Sequence, residues 1–217
     1  MFCNTIKKKK AQSEIISYLI VAGIIIFTTG IAYMWGGPLI EKSSSNSKIN
    51  MAESQLNQIN NEISSILLNG GQNNIMLDID GELKIDVDTN SFYYSFKVPS
   101  TSITSLDWIT LSGSNMWGVI GTDEADGAGR LGKDDAGVLL VKSHPAGDEY
   151  FMDFRLAYRE LDDLTTTGGK KVILILNGNN VASGKTTLFI KRGEPYISGT
   201  AVYGGDLVIV PIELTLS

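Results

Sequence analysis

The chain has 217 residues, 43% hydrophobic and 19% charged, with 24 Asp+Glu against 18 Lys+Arg and a single cysteine, Cys3. Lys7 to Lys10 lie in a first stretch of eleven residues that holds no acid, so the remainder carries 14 basic against 24 acidic residues, a charge of −10. That acidity argues against nucleic acid or anionic lipid as partners of the globular part, and one cysteine excludes an internal disulfide framework.

Directly after the lysines, Ile15 to Trp35 is a run of 21 residues without a charge. As a helix it is about 31 Å long, the hydrocarbon thickness of a bilayer. The lysine flank faces the cytoplasm by the positive-inside rule, which sends the C-terminal side out of the cell. A cleaved secretory signal fits poorly, because the run is long and Met34-Trp35-Gly36-Gly37-Pro38 makes a weak cleavage site. A plain single-pass anchor needs only the length and the lysines.

The junction Lys10-Ala11-Gln12-Ser13-Glu14, set against the charge-free run, resembles the class III signal sequence of archaeal type IV pilin-like proteins. The stretches QSEIISYLIVAG and GIAYMWGGPLIEK are similar to pilin-type N-termini in the same way. The resemblance covers residues 7–42. It implies cleavage by a prepilin peptidase between Ala11 and Gln12, with the apolar helix retained in the mature protein. Glu14 lies in the first helical turn, where the helix dipole favours a carboxylate, and a new α-amine at Gln12 is its expected pairing partner in the subunit or its neighbour. Bacterial pilins carry the matching glutamate at the fifth mature position, whereas Glu14 is the third. Ala22, Gly23 and Gly30 are small residues suited to close helix packing; the two glycines, seven apart, share one face. Gly36-Gly37-Pro38 offers a kink or break, with Tyr33 and Trp35 as interfacial aromatics.

Ser43 to Ser47 reads as a short polar, flexible stretch, a linker or a melted helical turn. Beyond it, Leu56, Ile59, Ile63, Ile66 and Leu67 form one stripe of an amphipathic helix that Asn69-Gly70-Gly71 should stop. In pilin-like proteins a second helical half packs on the head's sheet, and this segment looks like that half.

From Ile75 the period changes to two. Leu83, Ile85 and Val87, then Phe92, Tyr94, Phe96 and Val98, alternate with polar residues around Asp88-Thr89-Asn90, predicting a hairpin with one wet face. Tyr150 to Tyr158 alternates similarly, with Asp153 and Arg155 on its polar side. Val172 to Leu176 is continuously apolar, as for a strand covered on both faces. Further strands are expected at 137–141, 187–191, 197–203 and 207–216. The expected class is therefore α+β: a long N-terminal hydrophobic helix followed by an antiparallel, β-sandwich-like head. The expected organisation is a signal at 1–11, the hydrophobic helix at 12–42, linker and amphipathic helix at 43–71, and the head at 72–217.

Three segments imitate chemical motifs. Gly178 to Thr186 has one residue too many for a phosphate loop and precedes a strand, so a hairpin loop is expected. Asp123, Glu124 and Asp126, with Asp134-Asp135, fail the register of a calcium-binding EF-hand, as does Asp78-Ile79-Asp80-Gly81; a looser calcium site near Asp123 to Asp135 stays open. His144 is the only histidine, too few for an ordinary zinc site, and no Gly-x-Ser-x-Gly elbow accompanies it. No catalytic residue, cofactor or enzymatic activity is expected.

The resemblance implies a surface-filament subunit that binds its own copies through the apolar helix, with adhesion as the output. It further implies membrane lipid as the helix's surroundings before assembly, and a prepilin peptidase, an assembly ATPase and a membrane platform protein as partners. The alternative is a single-pass anchored extracellular domain that binds a surface-layer protein, a glycan or a cation without polymerising.

Overall fold

The computed structural model describes residues 3–111, 128–163, 168–202 and 204–217, with side chains from Ile16 onward. Among these residues one helix, α1 (Cys3–Asn69), is followed by eleven strands: β1 (Gln72–Asp86), β2 (Ser91–Val98), β3 (Ile109–Thr110), β4 (Gly129–Arg130), β5 (Gly137–Ala146), β6 (Glu149–Tyr158), β7 (Glu160–Asp163), β8 (Gly168–Leu176), β9 (Val181–Arg192), β10 (Tyr196–Thr200) and β11 (Asp206–Leu216). The expected α+β class is the class observed. By its internal contacts the chain divides into two units, Met1–Ser44 and Ser45–Ser217.

The first unit is helical throughout its described length. Two expectations change here. Helix continues through Gly36-Gly37-Pro38 rather than breaking, although Pro38 cannot donate to the carbonyl four residues back. It also continues through Ser43 to Ser47, so the serine run is neither a linker nor a melted turn.

In the second unit Ser45, Ile49, Ala52, Leu56, Ile59, Ile63 and Ile66 are buried, at alternating intervals of four and three, and they form a single stripe. Ser45 starts that stripe, so packing overrides the weak helix propensity of serine. The helix ends as expected: Gly70 (φ 73°) donates its N–H to the Ile66 carbonyl at 2.8 Å, and Arg192 Nη1 donates to the Leu67 carbonyl at 3.1 Å.

All eleven strands belong to one hydrogen-bonded sheet in the order β3-β5-β6-β2-β1-β9-β11-β8-β7-β4, with β10 alongside β11. Neighbours run antiparallel except β8–β11 and β4–β7, which are parallel, so the head is mixed rather than wholly antiparallel. The expected hairpin is β1–β2, with Leu83 paired to Tyr94 and Ile85 to Phe92. One face of β1, β2, β6, β8, β9 and β11 joins the helix stripe in a single core around Leu56, Ile59, Phe92, Phe154, Leu188 and Ile212. Helix and sheet approach closely: a Cβ at Gly137 of β5 would collide with the Asn60 side chain.

The polar motifs resolve into structural roles. Asp78 to Gly81 is a bulge in β1, where pairing with β9 shifts register between Ile79 and Leu83. Gly81 has φ 148°, and a side chain there would strike the Ser95 carbonyl. The Asp80 N–H donates to Tyr94 Oη at 2.9 Å, and its carboxylate pairs with Lys48 at 2.9 Å. Residues 177–180 connect β8 to β9 as a loop, as expected, but β11 lies between those strands, so they are not the adjacent pair of a hairpin. On β8, Val172 and Leu174 enter the main core, Ile173 packs on a small cluster of Ala201, Leu207 and Ile209, and Ile175 is exposed, so only part of the second face is covered.

Arg155 departs furthest from the alternation rule. It is 2% exposed, donates from Nε to Ser91 Oγ at 2.9 Å and lies 5.5 Å from the Tyr93 ring. Tyr93 in turn meets Trp108 at 6.3 Å, and Lys142 Nζ sits 4.5 Å over Trp108. This cation–aromatic stack covers the outer face of β2, β6 and β5.

Candidate functional site

The candidate site is the helical stretch from Ile16 to Ile40. Its large apolar side chains are exposed on every side of the helix, among them Tyr18 (76%), Phe27 (70%), Tyr33 (82%) and Trp35 (78%). A helix apolar all round cannot be stable facing water on all sides. None of its most apolar part is buried among the described residues. This is one helix long and apolar enough to cross a membrane, consistent with membrane anchoring. The Thr28 hydroxyl needs no water: its Oγ1 donates to the Ile24 carbonyl at 2.8 Å and reaches that of Ile25 at 3.1 Å.

Ala22, Gly23 and Gly30 lie in this stretch and are exposed. A Cβ added at Gly23 or Gly30 meets nothing within 4 Å, so neither glycine is required by packing among the described residues. Lys10, Ala11, Gln12 and Glu14 fall on helix α1, but their side chains lie outside the described residues.

The remaining chemical candidates do not assemble. Asp123, Glu124 and Asp126 lie outside the described residues. Asp134 Oδ2 accepts the Arg130 N–H at 2.6 Å and stands 4.0 Å from Arg159 Nη2. Among the described residues no group of three or more His, Cys, Asp or Glu side chains could hold a metal ion. His144 stacks on Phe151, with Nδ1 at 3.8 Å from Asp153 Oδ2, and Ser95 Oγ lies 2.6 Å from Asp153 Oδ1. Serine, histidine and aspartate thus meet in the wrong order, with the carboxylate between the hydroxyl and the imidazole; a hydrolytic relay needs the imidazole in the middle. Burial pushes the Glu160 carboxyl upward, the Val202 N–H draws it down, and a hydrogen bond with Asp162 raises it again, leaving it above the ordinary carboxylate value.

One feature with no signal in the sequence is a cavity on the outer face of β1, β9 and β11, around Phe189. Its residues come from segments 72–74, 189–191 and 213–215, which only the sheet brings together.

No protein-family model, curated protein or solved structure matches the chain.

Proposed function

We propose that the protein is a structural subunit of an archaeal type IV pilus-like surface filament that polymerises through its N-terminal helix. The observation supporting this most directly is the exposure of the large apolar side chains of Ile16 to Ile40 among the described residues. Processing between Ala11 and Gln12 removes the lysine run and leaves the helix in the membrane. Assembly then exchanges lipid for neighbouring copies, with Ala22, Gly23 and Gly30 letting backbones approach and Glu14 pairing with an α-amine at Gln12. The strand-rich unit lies outside the cell and carries the adhesive role. Prepilin peptidase, assembly ATPase and membrane platform protein are the partners this reading requires.

Mass spectrometry of the native N-terminus, with electron microscopy of sheared surface filaments, tests the reading. The expected results are Gln12 as the first residue and the protein in filaments. An intact lysine run on a protein confined to the membrane would replace it with the single-pass anchor.

A further inference from the structure

The cavity around Phe189 has a volume of about 380 Å³ and lies on the sheet face opposite the core. Strand register builds its floor in two rows. Gln72, Lys191 and Glu213 form one, and Asn74, Phe189 and Thr215 the other, each taking one residue from β1, β9 and β11. The alternate residues Ile75, Leu188, Ile190 and Leu214 point into the core, so these six point outward.

The floor has three properties. Phe189 is 44% exposed at its centre, an aromatic face open to solvent. The only charges in the two rows, Lys191 and Glu213, neutralise each other at 3.0 Å. The Gln72 and Asn74 side-chain amides are exposed and take no part in the chain's own hydrogen bonds among the described residues. An anionic ligand would find no uncommitted cation in these rows, and an apolar peptide would strand the amides without partners. A neutral ring with hydroxyls at its edge and C–H groups on its face satisfies all three. Amides both donate and accept, matching vicinal hydroxyls, while the electron-rich face of phenylalanine attracts polarised C–H groups.

We infer that this face is a binding site for neutral oligosaccharides, with Phe189 as the stacking platform and Gln72 and Asn74 as the hydroxyl readers. The site does not depend on how the N-terminal helix is used, so its test is independent of filament formation.

The test uses the full-length chain in nanodiscs of phosphatidylcholine, which present no sugar. The fluorescently labelled particles are applied to an array of neutral hexose and N-acetylhexosamine oligosaccharides together with sialylated and sulfated ones. Binding to neutral members is expected, weakened about ten-fold or more by Phe189→Ala and retained in Phe189→Tyr. Thr215→Arg, which fills the cavity while leaving the aromatic ring in place, should also abolish it; thermal melts verify that each variant is folded. Absence of neutral-glycan binding, preference for the anionic members, or undiminished binding by folded Phe189→Ala and Thr215→Arg would overturn the assignment. So would self-association, rather than sugar binding, being what Phe189→Ala removes, because the face would then belong to a second copy of the chain.

Discussion

At Asn90 a single side chain joins three parts of the sheet. It occupies the turn between β1 and β2 with φ 50°, a left-handed conformation that asparagine tolerates better than most residues. Its Nδ2 donates to the carbonyls of Val172 at 2.7 Å and Tyr158 at 3.1 Å, and its Oδ1 accepts the Leu174 N–H at 2.8 Å. Asn90→Ala loses these bonds and strains the backbone, so denaturant unfolding should show a loss of about 3 kcal/mol; Asn90→Gly should recover only the backbone share. In the same turn Asp86 Oδ1 accepts the N–H groups of Asp88 at 3.1 Å and Thr89 at 3.3 Å, with Lys84 Nζ 3.3 Å from Oδ2. Burial pushes this carboxyl up, but those hydrogen bonds and the lysine outweigh it and hold it below its ordinary value of 3.8. The native state thus favours the ionised form. Its contribution is complete above the unfolded value and is lost as pH falls through the lower native one. Melting temperatures measured from neutral pH downward should show Asp86→Asn less stable at neutrality, with the gap narrowing in acid.

The elements differ in how far their residues announce them. The amphipathic half of α1 was legible because a stripe at intervals of three and four depends on composition along one segment. Its contribution should be large: Ile59 is fully buried, and Ile59→Ala should cost about 3 kcal/mol by denaturant titration, whereas Met51→Ala, at an exposed position, should cost little. The β1–β2 hairpin and β6 were legible for the same reason, their alternation being a local property. Ser43 to Ser47 misled because serine favours caps and turns in isolation, while the buried Ser45 is held helical by the core. Arg155 misled because charge marks the wet face of a strand only when nothing covers that face, and Trp108 and Tyr93 lie far from it in sequence. The apolar run of the candidate site was readable at once, since length and lack of charge need no tertiary information. The Phe189 cavity was not, because strand register alone assembles it.

For the whole molecule the sharpest division is between residues that stabilise the chain and residues that are exposed and touch none of the other described side chains. Gly23 and Gly30 belong to the second kind. Gly23→Leu and Gly30→Leu should leave the melting of the strand-rich unit unchanged within ~0.5 kcal/mol and sharply lower filament yield from cells, counted by electron microscopy. A similar fall in melting temperature would mean that the glycines serve the fold instead. The place of β11 has a different consequence. It is the last strand of this sheet in chain order, yet it lies in the interior, hydrogen-bonded to β8, β9 and β10. A nascent polypeptide cannot close the sheet until residue 216 has left the ribosome, because β8 and β10 reach β9 only through β11. If the strand-rich unit crosses a bilayer, it arrives on the far side as thread and becomes a solid body only once β11 has followed. Products of premature termination would lack the keystone and be left to proteases.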